Sequence, residues 1–262
     1  MSNGQKVIKY FAYALAFCII FGIIFAAVSV FAGISSLIDI NDNNNSISDE
    51  LKTLECSGNI ELSNLKIDLG YSNLKIVSSN KFEIKSNDSN VLCDVKDDVL
   101  VIKDKNKAIK TKHSDVIISL PDDIRFDYMD IETGAGRVNI EELYTDRLDL
   151  SLGAGNSVIK TLNVNTADID TGVGAFFIND GVVNNIDLSM GVGASNIKLK
   201  VNDYGEFEGG IGKFNLELIG SLEDYKIELN KGIGKCYVSR NELKDNETVG
   251  GGQSKIILNG GI

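Results

Sequence analysis

Folded back on itself every 19 residues, the second half of the chain places hydrophobic residues in columns and glycines at fixed points. Six Gly-x-Gly pairs occur at Gly134/Gly136, Gly153/Gly155, Gly172/Gly174, Gly191/Gly193, Gly210/Gly212 and Gly232/Gly234, with steps of 19, 19, 19, 19 and 22 residues. A seventh, degenerate copy reads Gly250/Gly252. Counting from the first glycine of each unit, position +6 is aliphatic throughout: Ile140, Ile159, Ile178, Ile197, Leu216, Val238 and Ile256. Position −3 holds Ile131, Leu150, Ile169, Leu188 and Phe207, and position −5 holds Met129, Leu148, Ala167, Ile186 and Gly205. Position +1 holds Ala135, Ala154, Val173, Val192, Ile211 and Ile233.

Positions −5, −3 and +1 share one parity, and +4 and +6 share the other. A period of two is that of a strand. Two strands therefore flank each Gly-x-Gly, with the inward face slipping by one residue at a glycine corner. Asn163, Asn165, Asn184, Asn185 and Asn202 suit the turns at the opposite end. A repeat of this length implies units that bury their apolar face only by stacking on neighbours. The predicted fold class is all-β: a single-stranded parallel β-solenoid over residues 122–262. Its coils rise about 4.8 Å each. Position +4 (Val138, Ser157, Phe176, Ser195, Phe214, Cys236, Ser254) mixes large and small residues, which predicts a packed interior row that includes Cys236.

Residues 54–121 read as an N-terminal β region capping the array. Leu65, Ile67 and Leu69 alternate with polar residues, and Gly70 is followed by Leu74 and Ile76 with the spacing of the repeats. Val91, Cys93 and Val95, a Lys96-Asp97-Asp98 turn, then Val99 and Val101 predict a hairpin. Val116-Ile117-Ile118-Ser119-Leu120-Pro121 predicts a strand stopped by proline.

Upstream the pattern changes. Tyr10 to Ile38 is a 29-residue run without charge, longer than the roughly 20 residues a helix needs to cross a bilayer. Lys6 and Lys9 precede it, and Asp39, Asp42, Asp49 and Glu50 follow it. This predicts a cytoplasmic tail (1–9), one transmembrane helix (10–38), a flexible linker (39–53) rich in asparagine, and an extracytoplasmic body. Net charge is −11, and the two lysines are the only charges before residue 39, leaving the body at −13. Such a body argues against nucleic acid as a partner. Of the four cysteines, Cys56 and Cys93 could pair if the body is extracytoplasmic, which their spacing alone does not show; none forms a Cys-x-x-Cys motif.

No catalytic or ligand-specific signature stands out, and the expectation is no catalytic residue, no cofactor and no metal. The strongest candidate is an acidic ladder at position −4: Asp130, Asp149, Asp168, Asp187 and Glu206, with Glu132, Asp170 and Glu208 two residues on. Stacked carboxylates suit a hard cation or a cationic polymer, but more readily a solvated edge that resists sheet pairing. Gly212-Lys213 and Gly234-Lys235 lack the glycine spacing and the Ser/Thr of a phosphate loop. His113 in Lys112-His113-Ser114-Asp115 reads as a surface residue. Asn44-Asn45-Ser46, Asn87-Asp88-Ser89 and Asn246-Glu247-Thr248 match glycosylation sequons.

The apolar run, linker, hairpin, Ile-Ile-Ser-Leu-Pro strand and Thr-Gly-Ala-Gly-type units together resemble a bacterial family of adhesin-like β-solenoids of unknown function, including LiaG-like envelope proteins and toast-rack domains. The resemblance spans about residues 54–262 and rests on glycines and aliphatics. It implies a non-enzymatic, single-pass protein of the cell membrane, acting in surface adhesion or in the cell-envelope stress response through an envelope protein or surface polymer. The alternative is a β-helix that binds or degrades polysaccharide.

Overall fold

A computed structural model describes residues 47–56, 63–107, 112–121, 124–230, 232–233, 236–238 and 241–261. The tail, the apolar run and the first part of the linker lie outside these residues. Among the described residues no helix is long and apolar enough to cross a membrane. The described chain is all-β. Its strands are β1 (Ile47–Thr53), β2 (Asn64–Ser79), β3 (Glu83–Asp88), β4 (Val91–Lys96), β5 (Val99–Asp104), β6 (Ser114–Pro121), β7 (Phe126–Ile178), β8 (Gly181–Glu208), β9 (Ile211–Leu218), β10 (Tyr225–Asn230), β11 (Cys236–Val238), β12 (Asn241–Leu243), β13 (Thr248–Gly250) and β14 (Ser254–Asn259). A short 3-10 turn, Leu222–Asp224, precedes β10. Twelve strands form one sheet that does not close on itself, and β11 and β12 form a separate antiparallel pair.

Strands β7 and β8 are long because each passes through more than one repeat without leaving extended backbone. Equivalent residues of successive units pair in parallel. Val173 lies beside Val192 and Gly174 beside Gly193; Val192 lies beside Ile211 and Gly193 beside Gly212. The rows at −5, −3, +4 and +6 are buried at every position from Met129 through Phe207; beyond it, Phe214 and Leu216 in β9 are half-buried. Each fully buried Leu or Ile contributes roughly 2–3 kcal/mol, and every unit adds several to one continuous core.

The glycine corners follow from backbone crowding. A Cβ on Gly153 would lie 1.8 Å from the Gly134 carbonyl oxygen, and one on Gly174 1.8 Å from that of Gly155. The second glycine of each full unit also has a positive φ, from 131° at Gly136 to 145° at Gly155 and Gly193. A side chain there would be both strained and without space.

The corner also corrects one expectation. Position +1 does not share the inward face of −5 and −3. The row continues inward at −1 (Thr133, Leu152 and Met190 are buried), then the chain turns and +1 points out. Val173, Val192, Ile211 and Ile233 are 59%, 45%, 53% and 75% exposed.

The N-terminal region repeats the same coil. Asn64–Ile76 of β2 pairs in parallel with Tyr128–Ile140, placing Gly70 at the corner beside Gly134. On the other flank of β2, β5 covers the Asn64–Asp68 half and β6 the Ser72–Ser79 half. Antiparallel β4 pairs with β5 and β3 with β6, so the exposed edges of the last coil are covered by reversed strands.

Two readings of this region change. The hairpin turn is two residues, Asp97 and Asp98, both at positive φ, which pairs Lys96 with Val99. That puts Leu100 and Ile102 in the core and leaves Val99 and Val101 half-buried, because a one-residue change of register exchanges the faces of a strand. The linker also ends earlier than its polar composition suggests: residues 47–53 are β1, paired antiparallel to the free side of β3. Cys56 and Cys93 form a disulfide that fastens the segment after β1 to β4.

The C-terminal units depart from the 19-residue period. β14 pairs in parallel with β8 on one side (Ile256 beside Gly205, Leu258 beside Phe207) and with β10 on the other (Ile256 beside Ile227, Leu258 beside Leu229). Ile256 therefore extends the −5 row, not the +6 row. Gly250 and Gly252 are not a corner. β13 pairs antiparallel with β10, and a Cβ on Gly252 would collide with Asp224. The corner that stacks on Gly209 and Gly210 is Gly260-Gly261. Cys236–Val238 pairs with Asn241–Leu243 in the separate sheet, so the +4 and +6 rows do not continue through Cys236 and Val238.

The corner geometry predicts that Gly174→Ala lowers stability by more than about 2 kcal/mol. Gly251→Ala, where a Cβ meets nothing within 4 Å, should change it by less than about 0.5 kcal/mol. Thermal melts of the two variants against the parent check the contrast.

Candidate functional site

The acidic ladder is assembled by strand register. Asp168 lies directly beside Asp187, and Lys66 of β2 beside Asp130, with which it forms an ion pair. At the far end Ile257 of β14 lies between Glu206 and Glu228, ending the unbroken run of carboxylates. The ends are neutralised or hydrogen-bonded. Tyr128 donates to Asp149 (2.6 Å), and Arg147 approaches the same carboxylate at 3.3 Å. Tyr204 donates to Glu206 at 2.7 Å, and Asn259 donates to its other oxygen at 2.8 Å. The hydrogen bond to a carboxylate pushes each tyrosine hydroxyl up to about 12, with desolvation adding to it.

The middle of the ladder is different. Desolvation by the stacked neighbours, then the charges of Asp170 and Asp149, raise the pKa of Asp168 above the ordinary carboxylate value. Desolvation, then Glu206, Asp168, Glu208 and Asp170, raise that of Asp187. Both residues are exposed overall, so the effect is a modest penalty of desolvation first and like charge second. Among the described residues no three His, Cys, Asp or Glu side chains converge to hold a metal ion.

A second column stands at the corner beside this face. Val173, Val192 and Ile211 are neighbours in register. The glycines on either side of each carry no side chain, so the apolar groups stand clear of the backbone. Ala135, beside Tyr71, belongs to the same column, and side-chain size grows along it from alanine through valine to isoleucine. The sequence placed these residues in the core. Their signal was the glycine on both sides, which marks a turn and so breaks the parity rule.

The polar turns also stack. Asn165 donates to Asp146 (3.1 Å), Asn184 to Asn165 (2.8 Å) and Asn202 to Asn184 (2.8 Å), an amide ladder running from coil to coil. Asn163 and Asn185 take no part in it. Two small cavities lie near the core. One, about 20 Å³, sits beneath the corners among Thr133, Leu152, Met190, Ser157 and Ser195. The other, about 30 Å³, lies where β6 passes to β7, beside Phe126 and Tyr144. Each has room for about one water molecule. His113 lies 3.4 Å from Asp115 and edge-on to Tyr71. Asp115 itself accepts from Asn73 and Asn87, so this group is a turn network at the coil end.

The raised pKa of Asp187 has a definite sign. The folded chain holds that proton more tightly than the unfolded one, so the stability penalty is full above the folded pKa and disappears as pH falls below the ordinary value near 3.8. Asp187→Asn should stabilise the protein at pH 7 by about 0.5 kcal/mol, and its advantage over the parent should shrink as pH is lowered toward 4. Melting midpoints of both proteins across that range measure it.

No family model and no curated protein matches the chain. Solved structures similar to it include two described as adhesion proteins. One is a "putative adhesin" from Bacteroides fragilis, at 15% identity and a TM-score of 0.36, covering 81% of this chain and 98% of that one. The other is a "putative cell adhesion protein" from Clostridium sporogenes, at 18% identity and a TM-score of 0.29, covering 81% and 93%.

Proposed function

We propose that the chain is a non-enzymatic, membrane-anchored surface protein whose body is a parallel β-solenoid, acting as an adhesin or as a component of the cell-envelope stress response. The observation that carries the reading is the outward column Val173–Val192–Ile211, held at the coil spacing beside a carboxylate ladder. An exposed row of β-branched side chains on rigid backbone is costly in water and suits a partner that lies across several coils. The partner is an envelope protein or a surface polymer. The LiaG-like and toast-rack resemblance, the charge-free run Tyr10–Ile38 and the lysines before it favour a single-pass anchor with the N-terminus in the cytoplasm. The Cys56–Cys93 disulfide supports an extracytoplasmic body, because such bonds persist in oxidising compartments.

Polysaccharide binding or cleavage is the second reading, favoured by the ladder of acids along one face. Incubating the full protein with uronate polymers and other anionic glycans, with and without Ca²⁺, separates the two: turnover of any polymer would overturn the first. For the first reading, Val192→Asp in cells displaying the full chain should cut partner capture or surface attachment roughly tenfold, the loss of one central apolar contact, without lowering the amount displayed. Reduction of the disulfide, which spans 37 residues, should cost about 3–4 kcal/mol of stability, read as a lower melting midpoint under reductant. Protease added to intact cells should remove the body.

A further inference from the structure

Among the described residues, the sheet order beyond the repeats leaves a slot between β8 and β10 that β14 fills. β10 follows β8 and β9 in sequence, yet β8 and β10 do not touch edge to edge. β14 lies between them, parallel to both, with Lys255–Asn259 in register with Tyr204–Glu208 and Ser254–Asn259 in register with Tyr225–Asn230. The fit is specific. Gly205 has no side chain where Ile256 enters, and a Cβ there would come 3.1 Å from Ile256. Ile256 is fully buried. Ser254 donates to the Asn202 carbonyl, and Asn259 bridges Glu206 and Asn230. Without β14, two parallel strand edges and the apolar side chains of Phe207, Ile227 and Leu229 would stand open, a ready template for a strand.

The strand is joined to β13 through Gly250-Gly251-Gly252-Gln253. Gly250 pairs with Lys226 at a φ of 78° and Gly252 packs against Asp224, while Gly251 is in open space. We propose that the slot is an interaction site for a second copy of this chain, and that β14 is exchanged between copies. The bonds made by β14 are the same whether it comes from its own chain or from another. The choice is set by the glycine tether and by the local concentration of copies, the condition under which strand exchange is cheap. Each copy both gives a strand and offers a slot, so exchange links two copies reciprocally or several in series.

Ile257 and Glu206 are outward-facing neighbours across the slot, which gives a direct test. In full-length protein carrying Cys18→Ser and Cys236→Ser, one batch receives Glu206→Cys and a second receives Ile257→Cys. The two are mixed in detergent, unfolded without reductant so that the Cys56–Cys93 bond survives, refolded together and treated with a short bis-maleimide. The expected result is a covalent species of doubled mass that joins one chain of each kind and grows in proportion as the refolding concentration rises. The double variant, refolded dilute, should crosslink within one chain. Internal crosslinking in the double variant with no doubled mass in the mixture at any concentration overturns exchange. Failure of the double variant to crosslink at all overturns the slot itself.

Discussion

Backbone meeting backbone at the glycine corners is the constraint on which the remaining structure depends. Successive coils approach so closely there that a Cβ would enter the carbonyl oxygen of the coil beneath, 1.7 Å away at Gly155 and 1.8 Å at Gly153. Only a residue without a side chain permits the approach, and only the approach allows parallel strands to hydrogen-bond through a corner instead of breaking there. That is why β7 runs unbroken for 53 residues. In-register pairing then forces like residues onto like. Buried rows become continuous, which makes the core, and outward rows become continuous too, which makes the faces. The apolar column, the amide ladder and the carboxylate ladder are consequences of one backbone geometry.

Stacking like on like favours aliphatic and amide rows and penalises charged ones. The amide rows at Asn165, Asn184 and Asn202 gain a hydrogen bond at every step. The carboxylate row gains repulsion at every step. The structure answers it at the ends with Lys66, Arg147 and Asn259, while Asp168 has only the more distant charge of Arg147 against it and Asp187 stays raised by burial and by its acidic neighbours. A like-charged pair directly opposed in a sheet costs a few tenths of a kcal/mol to about 1 kcal/mol. A charged outward row of this kind also resists pairing with another sheet, and its cost is small enough for that role to carry.

Much of the coil was legible because the sequence repeats. The period, the buried rows at −5, −3, +4 and +6 up to residue 207, and the likeness of the Gly70 unit to the later ones all follow from aliphatic spacing around glycines. What misled was the assumption that parity runs through the corner and that the period runs to the end. Val173 and Val192 fit the inward parity by number, but the buried row ends at −1 and the corner turns between −1 and +1, so parity does not carry through it. Ile256 fits +6 by number and −5 in space, since an apolar strand near glycines satisfies either row. Nothing local in Ser254–Asn259 says that it pairs with Tyr204–Glu208, some 50 residues away; that follows only from the gap the three-dimensional stack leaves.

A stack of coils has two ends, and each end is an edge that would recruit more strands. At one end the chain turns back and covers β5 and β6 with antiparallel β4 and β3, fastened by a disulfide. A reversed strand ends the parallel array there, and β1 pairs antiparallel on the free side of β3. At the other end β13 plays the same part against β10, also antiparallel. But here the closing strand lies one place further out than the keystone, and β14 beneath it is parallel on both sides and carried on a glycine tether. The first end is closed by chain that has already been made when the repeats form. The second is closed by β14, which lies beyond the repeats in sequence and reaches its place through Gly250–Gly252. One end is tied covalently and the other is held by hydrogen bonds and the burial of Ile256, and that difference is the physical basis on which strand exchange is proposed.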